Sequence, residues 1–145
     1  MTSTGYIGMQ VSEHEAAYVY LEEAATPDKV VPFLCASMRR RDSNFLRPIF
    51  AYGEWHNLTS EVHKSVSPPF ATTYIKGYGF AYQDSAGRVK IASKHQLPLD
   101  VNWSYILDEA GDFHVTNGLS QQITVLSLRE IVQFSESSNL AKFGL

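Results

Sequence analysis

Five histidines, His14, His56, His63, His95 and His114, are the side chains of this chain best suited to moving protons near neutral pH. The densest reactive patch is Glu54-Trp55-His56 followed by Glu61-Val62-His63. Two imidazoles and two carboxylates are an inventory from which a metal site can be built. Their spacing fits no zinc motif, however, and on one helix the two rings would lie two turns apart. The sequence therefore assigns no metal. Cys35 is the only cysteine, so no intrachain disulfide can form. It lies in the apolar run Val30-Val31-Pro32-Phe33-Leu34-Cys35-Ala36, a setting for a small buried hydrophobe rather than a thiolate nucleophile.

A second constellation comes from alternation. In Tyr74 to Tyr82 the residues Tyr74, Lys76, Tyr78, Phe80 and Tyr82 fall on one face of a strand, opposite Gly77, Gly79 and Ala81. Trp103, Tyr105 and Leu107 alternate in the same way with Asn102, Ser104 and Ile106. A curved sheet lined by Tyr78, Phe80, Tyr82, Trp103 and Tyr105 would enclose an apolar pocket, or would simply be core. His56, Glu54, His95, Asp100 and His114 are the polar groups that could converge on such a pocket. Burial there would shift the pKa of an imidazole or carboxyl and equip it for acid/base work. His56 and Asp100 are the residues assigned that role, with the tyrosine hydroxyls orienting a substrate. His114, between Phe113 and Val115, is expected to face solvent.

The elements that position these groups read as follows. Gly5 to Val11 is a short strand or extended arm. Ser12-Glu13-His14-Glu15 has the pattern of a helix capping box, and Ala17, Tyr20, Leu21 and Ala24 share a helical stripe; a helix over Ser12–Ala25 is therefore expected. The strand formers Tyr18-Val19-Tyr20-Leu21 argue against it. Thr26-Pro27-Asp28 is a second helix start. Residues 30–41 stay open between helix and strand because of Pro32. Phe45 to Tyr52 reads as extended, broken by Pro48, and Thr59 to Val66 as two helical turns.

Two hairpins are expected in the C-terminal half. Tyr74–Tyr82 returns through Asp84-Ser85-Ala86-Gly87 to Arg88–Lys94, and Trp103–Leu107 returns through Asp108-Glu109-Ala110-Gly111 to Phe113 and Val115. Residues 123–134 are read as a strand, against an alternative in which Ser127 and Glu130 cap a helix. The fold class expected is α+β. N-terminal helical segments accompany a curved antiparallel sheet of hairpins, as a cone or partly open barrel, in one domain spanning residues 1–145.

Composition narrows the partners. The 145 residues are 44% hydrophobic and 12% aromatic, enough for a core without metals or disulfides. A formal net charge of −3, with Arg39-Arg40-Arg41 as the only basic run, argues against nucleic acid. No stretch reaches the length of a membrane helix, and the N-terminus lacks the regions of a secretory signal. A cytoplasmic setting follows by default, and Asn57-Leu58-Thr59 is then a chance match to a glycosylation site. No glycine-rich phosphate loop, nucleophile elbow or H-E-x-x-H is present, so no cofactor is assigned.

The order of elements resembles the NTF2-like (SnoaL-like) cone family. The resemblance rests on Ser12–Ala25 as a first helix and on Trp103-Ser104-Tyr105-Ile106-Leu107-Asp108-Glu109-Ala110-Gly111 as a late hairpin; the strand before that helix departs from the family pattern. What it implies is an apolar pocket wrapped by the sheet. The expected function is thus a cofactor-free cyclase, dehydratase, isomerase or hydrolase acting on a small, mostly apolar organic molecule. A non-catalytic binder of a hydrophobic ligand is the first alternative. The second is an oligomeric interaction module, with a homodimer among its forms.

Overall fold

The computed structural model describes residues 3–59, 68–93, 100–127 and 129–130. The chain is α+β; among the described residues two α-helices lie beside one open mixed sheet that does not close into a barrel. Its strands are β1 Gly5–Gln10, β2 Glu15–Leu21, β3 Trp55–Leu58, β4 Thr72–Ile75, β5 Gly79–Tyr82, β6 Lys90–Ser93, β7 Trp103–Leu107, β8 Phe113–Asn117 and β9 Ile123–Leu126. They are ordered β4-β5-β3-β2-β1-β7-β8-β9, and β6 shares the free part of β2. Most neighbours are antiparallel, but β1 runs parallel to β7 and β2 parallel to β3. The helices are α1 Pro27–Arg41 and α2 Leu46–Tyr52, joined by a 3-10 turn at Asp42–Phe45. No helix among the described residues is long and apolar enough to cross a membrane.

The N-terminal segment corrects the expected helix over Ser12–Ala25, because β1 and β2 form a hairpin there. The capping contact itself is made: Ser12 Oγ accepts from the Glu15 amide at 3.1 Å. It closes a turn in which the Val11 amide also donates to Glu15 O at 2.9 Å. Pairing with β1, β3 and β6 then overrides the high helix propensity of the alanines, and Tyr18-Val19-Tyr20 suits a pleated strand. Gly8 is obligatory here, since a Cβ would lie 2.0 Å from Ala17 O and 2.8 Å from Tyr18 Cβ.

Pro27, Pro32 and Pro48 all fall inside helices. α1 starts at Pro27 behind Thr26, whose carbonyl accepts from the Lys29 and Val30 amides at 3.0 Å each. Pro32 sits within it, so the open segment 30–41 is helical. Phe45 to Tyr52 is not extended: Pro48 lies in the first turn of α2, where no amide is required of it.

The first expected hairpin is corrected as well. Tyr74–Tyr82 is not one strand. The Tyr78 amide donates to Ile75 O at 3.0 Å and Gly77 takes φ +81°, so the chain reverses and β4 pairs with β5. β6 leaves β5 altogether and pairs with β2. The second hairpin forms as expected, with Tyr105 opposite Val115 and Leu107 opposite Phe113. At the C-terminal end both readings hold in part. β9 occupies Ile123–Leu126, and the reciprocal capping box follows it. The Glu130 amide donates to Ser127 Oγ at 3.2 Å, and the Ser127 amide donates to Glu130 Oε1 at 3.3 Å. The expected helical turns at Thr59 to Val66 fall almost wholly outside the described residues.

The sheet has two unlike faces. Ile7, Val19, Leu21, Trp55, Ala81, Tyr105, Leu107, Phe113 and Val115 point to the side covered by α1 and α2, where Val30, Val31, Phe33, Leu34 and Ile49 complete the main core. The outer face carries a smaller cluster of Tyr6, Ala16, Tyr18, Val101 and Ile106.

Candidate functional site

β3 delivers His56 to the outer face through a bulge. Trp55 pairs with Ala81 and Asn57 with Phe80, so His56 is the extra residue on β3. A bulge bends the strand and re-aims a side chain, a device common beside active sites. The Trp55 ring is fully buried, with Nε1 donating to Ile49 O at 3.0 Å, while the next ring is released to the opposite face.

Both nitrogens of the His56 ring are engaged. Nε2 lies 2.7 Å from Glu23 Oε2, and Nδ1 lies 3.1 Å from the Tyr82 hydroxyl. Glu22 Oε2 stands 3.9 Å from Nδ1. The His56 side chain is only 18% exposed, against 45% for Glu22 and 41% for Glu23. Glu22 follows the alternation of β2, which puts Tyr18, Tyr20 and Glu22 on one face. Glu22 and Glu23 are anchored just past the strand end, their amides donating to Trp55 O and His56 O at 2.9 Å. An imidazole held at both nitrogens by a carboxylate and a phenol is an arrangement that can move a proton.

Asp100 lies on the same face with different partners. It accepts from the Tyr6 hydroxyl at 2.7 Å, and Tyr6 packs edge-on to Tyr18 and Tyr20 at 4.6 and 6.3 Å between centroids. Burial pushes the Tyr6 phenol well above its ordinary range, with Asp100 adding to the effect. Tyr20 is raised by burial and then by Glu22, Glu54 and Asp100, and its ring packs 6.3 Å from that of Tyr6. No hydrogen bond or ion pair joins His56 to Asp100 directly among those described.

The five aromatic residues assigned to a pocket do not share one. Tyr78 is buried between Phe33 and Trp55, at 6.2 and 6.1 Å. Tyr105 is fully buried, donates to Ala25 O, and has its phenol pushed far up by burial and then by Asp28. Trp103 packs half-buried against the same core, and Phe80 is buried beside Tyr74 at 5.9 Å. Tyr82 alone reaches a candidate catalytic side chain, because the turn at Gly77 and the bulge at His56 break the single alternation on which the grouping rested.

The chain matches no family model, no curated protein and no solved structure.

The remaining candidates have local roles. Glu54 pairs with Arg88 at 2.6 Å, and His14 lies exposed, 3.9 Å from Glu13. His114 is half-exposed and meets Asp108 Oδ2 at 2.7 Å. Burial works against a charge at Asp108, but the Asp112 amide, the His114 ring and the Ala110 amide together hold its carboxyl below the ordinary range. Cys35 is buried, and burial pushes its thiol up to about 12. His63 and His95 lie outside the described residues. Glu23 and Glu22 were hidden by the helical reading of Ser12–Ala25; read as a strand, the run Tyr18-Val19-Tyr20-Leu21-Glu22 places the glutamate beside the tyrosines.

An open cleft of about 300 Å³ is lined by Tyr52, Thr73, Ile75, Ala81, Tyr82, Gln83, Asp84 and Ala86. His56 is not in this lining, although its partner Tyr82 is.

Proposed function

We infer that this chain is a cofactor-free acid/base enzyme for a small organic molecule, with His56 as its proton-transferring group. The observation that carries the reading is the bulged His56 ring, held between Glu23 and Tyr82 on the tyrosine-bearing face. Glu23 orients the ring by accepting from Nε2. Tyr20 and Tyr82 offer apolar surface with hydroxyls for a substrate carbonyl or hydroxyl group. Asp100 acts through Tyr6, fixing the tyrosine cluster beside the site, and so serves as a positioning residue. The reading includes a cytoplasmic setting and, with a net charge of −3, a small molecule rather than nucleic acid as partner.

One observation favours a binder instead. The cleft by Tyr52, Ile75 and Ala81 is apolar and large enough for a small ligand, with no imidazole in its lining. NMR titration with small carbonyl-bearing fragments separates the two readings. The enzyme reading expects shifts centred on His56, Tyr82 and Tyr20, and solvent deuterium entering the bound fragment in wild type but not in His56→Asn. Shifts centred on Tyr52 and Ile75, without deuterium entry, would instead establish the binder.

A further inference from the structure

The direction of the Tyr82–His56 hydrogen bond assigns a second reactive group. Glu23, as a carboxylate, can only accept, so Nε2 of His56 must carry the hydrogen of the 2.7 Å contact. In the neutral ring that leaves the lone pair on Nδ1. The Tyr82 hydroxyl, 3.1 Å away, must then donate to it. The phenol therefore has a base already aligned with its proton. Glu22, 3.9 Å from Nδ1, supplies a negative charge where that proton would arrive. Tyr82 and His56 are both half-buried, so the phenol can meet a molecule from solvent.

We propose that Tyr82 is a nucleophile of this site, activated by His56 and Glu23, and that its substrate class is small acyl compounds with a good leaving group. In the step, the Tyr82 oxygen bonds to the acyl carbon and its proton passes to Nδ1 of His56. The bond from that carbon to the leaving group breaks, and the electron pair departs with the leaving group. Water then hydrolyses the acyl-tyrosine, releasing the carboxylic acid, and the proton on Nδ1 is returned to the tyrosine oxygen or to solvent. Neither an oxidant nor a metal is needed to balance the step.

The proposal rests on the acid/base reading of the same site but fails separately from it. Acylation needs no natural substrate, so its loss would remove the nucleophile and leave proton transfer by His56 standing. The test uses p-nitrophenyl acetate with the full chain, following p-nitrophenolate release and mapping the acetyl group by peptide mass spectrometry. The expected result is a burst with the acetyl group on Tyr82, abolished in Tyr82→Phe. His56→Asn keeps a hydrogen-bond acceptor beside the phenol but supplies no base, and should slow labelling about a hundredfold. Should that variant fail to fold, Glu23→Gln, which retains the ring, should slow Tyr82 labelling as well. Acetyl groups placed on other tyrosines in preference to Tyr82, or labelling of Tyr82 at wild-type rate in a folded His56→Asn or Glu23→Gln protein, would overturn the proposal.

Discussion

The two faces of the sheet use the same residue type for opposite ends. Toward the helices, Tyr78 and Tyr105 are enclosed by Phe33, Trp55 and backbone, and their rings fill space. On the outer face Tyr6 is hydrogen-bonded to Asp100 and Tyr82 to His56, Tyr18 and Tyr20 pack against the Tyr6 ring, and no helix is described over them. Rings that close on each other make a core, and rings whose hydroxyls meet a carboxylate or an imidazole make a place where a proton can move. Substitutions on the first face should therefore damage stability, and substitutions on the second should damage chemistry.

The largest contrast is expected from deleting rings. Trp55→Ala removes a fully buried indole and its hydrogen bond to Ile49, and should cost about 3–5 kcal/mol in denaturant unfolding. Tyr20→Ala, on the half-buried outer face, should cost less than half of that, and equal losses would dissolve the distinction. Removing single hydroxyls comes next. Tyr105→Phe strands the buried carbonyl of Ala25 and should cost about 1–3 kcal/mol. Tyr6→Phe leaves Asp100 access to water and should cost about 1 kcal/mol or less, measured in the same way.

Acid and base should reach different parts of the sheet. The Asp108 carboxyl is held below its ordinary range in the folded chain, so its contribution is present above the unfolded value and is lost as pH falls below about 4. Tyr6, Tyr18 and Tyr20 are raised, chiefly by burial, so the folded chain keeps protons that the unfolded chain releases. Stability should then decline as pH rises above about 10. Unfolding midpoints across pH check both signs. Asp108→Asn should flatten the acid limb and leave the alkaline limb in place. The smallest stability change is expected from His56→Asn, within about 1 kcal/mol, although the proton-transfer chemistry should vanish with it.

The paired D-x-A-G turns illustrate how much of this was legible in the sequence. Around Asp108 the pattern means what it says. Oδ1 accepts from the Ala110 and Asp112 amides at 2.9 Å each, and β7 returns as β8. Around Asp84 the same letters close only a local turn, the Arg88 amide donating to Ser85 O at 3.0 Å, and no hairpin onto β5 follows, because Ser85 is drawn inward. Its Oγ lies 2.7 Å from Tyr52 O and 2.8 Å from Tyr82 O, and accepts from the Glu54 amide at 3.0 Å. Gly53 fits against that latch only because it has no side chain, as a Cβ would lie 1.9 Å from Ser85 O. Local turn chemistry can be read along the chain, whereas a latch onto Tyr52 at the end of α2, 33 residues earlier, cannot.

The site was legible to a similar degree. His56 was picked out by residue type and by its setting. Its partner Glu23 was not, because a capping box that closes a hairpin turn looks the same in sequence as one that starts a helix. Asp100 was picked out too, but its bond to Tyr6 depends on a strand pairing, β1 beside β7, that no local pattern announces. The bulge that turns His56 outward is a mismatch between β3 and β5, and it exists only once they are paired.

The most direct test of the central claim is the tautomer of His56, read from the two ring nitrogens in ¹⁵N NMR of the intact chain. The account requires a neutral ring protonated at Nε2 and unprotonated at Nδ1, with that preference weakened in Glu23→Gln. A ring protonated at Nδ1, or one sampling both tautomers alike in the wild type, would contradict it.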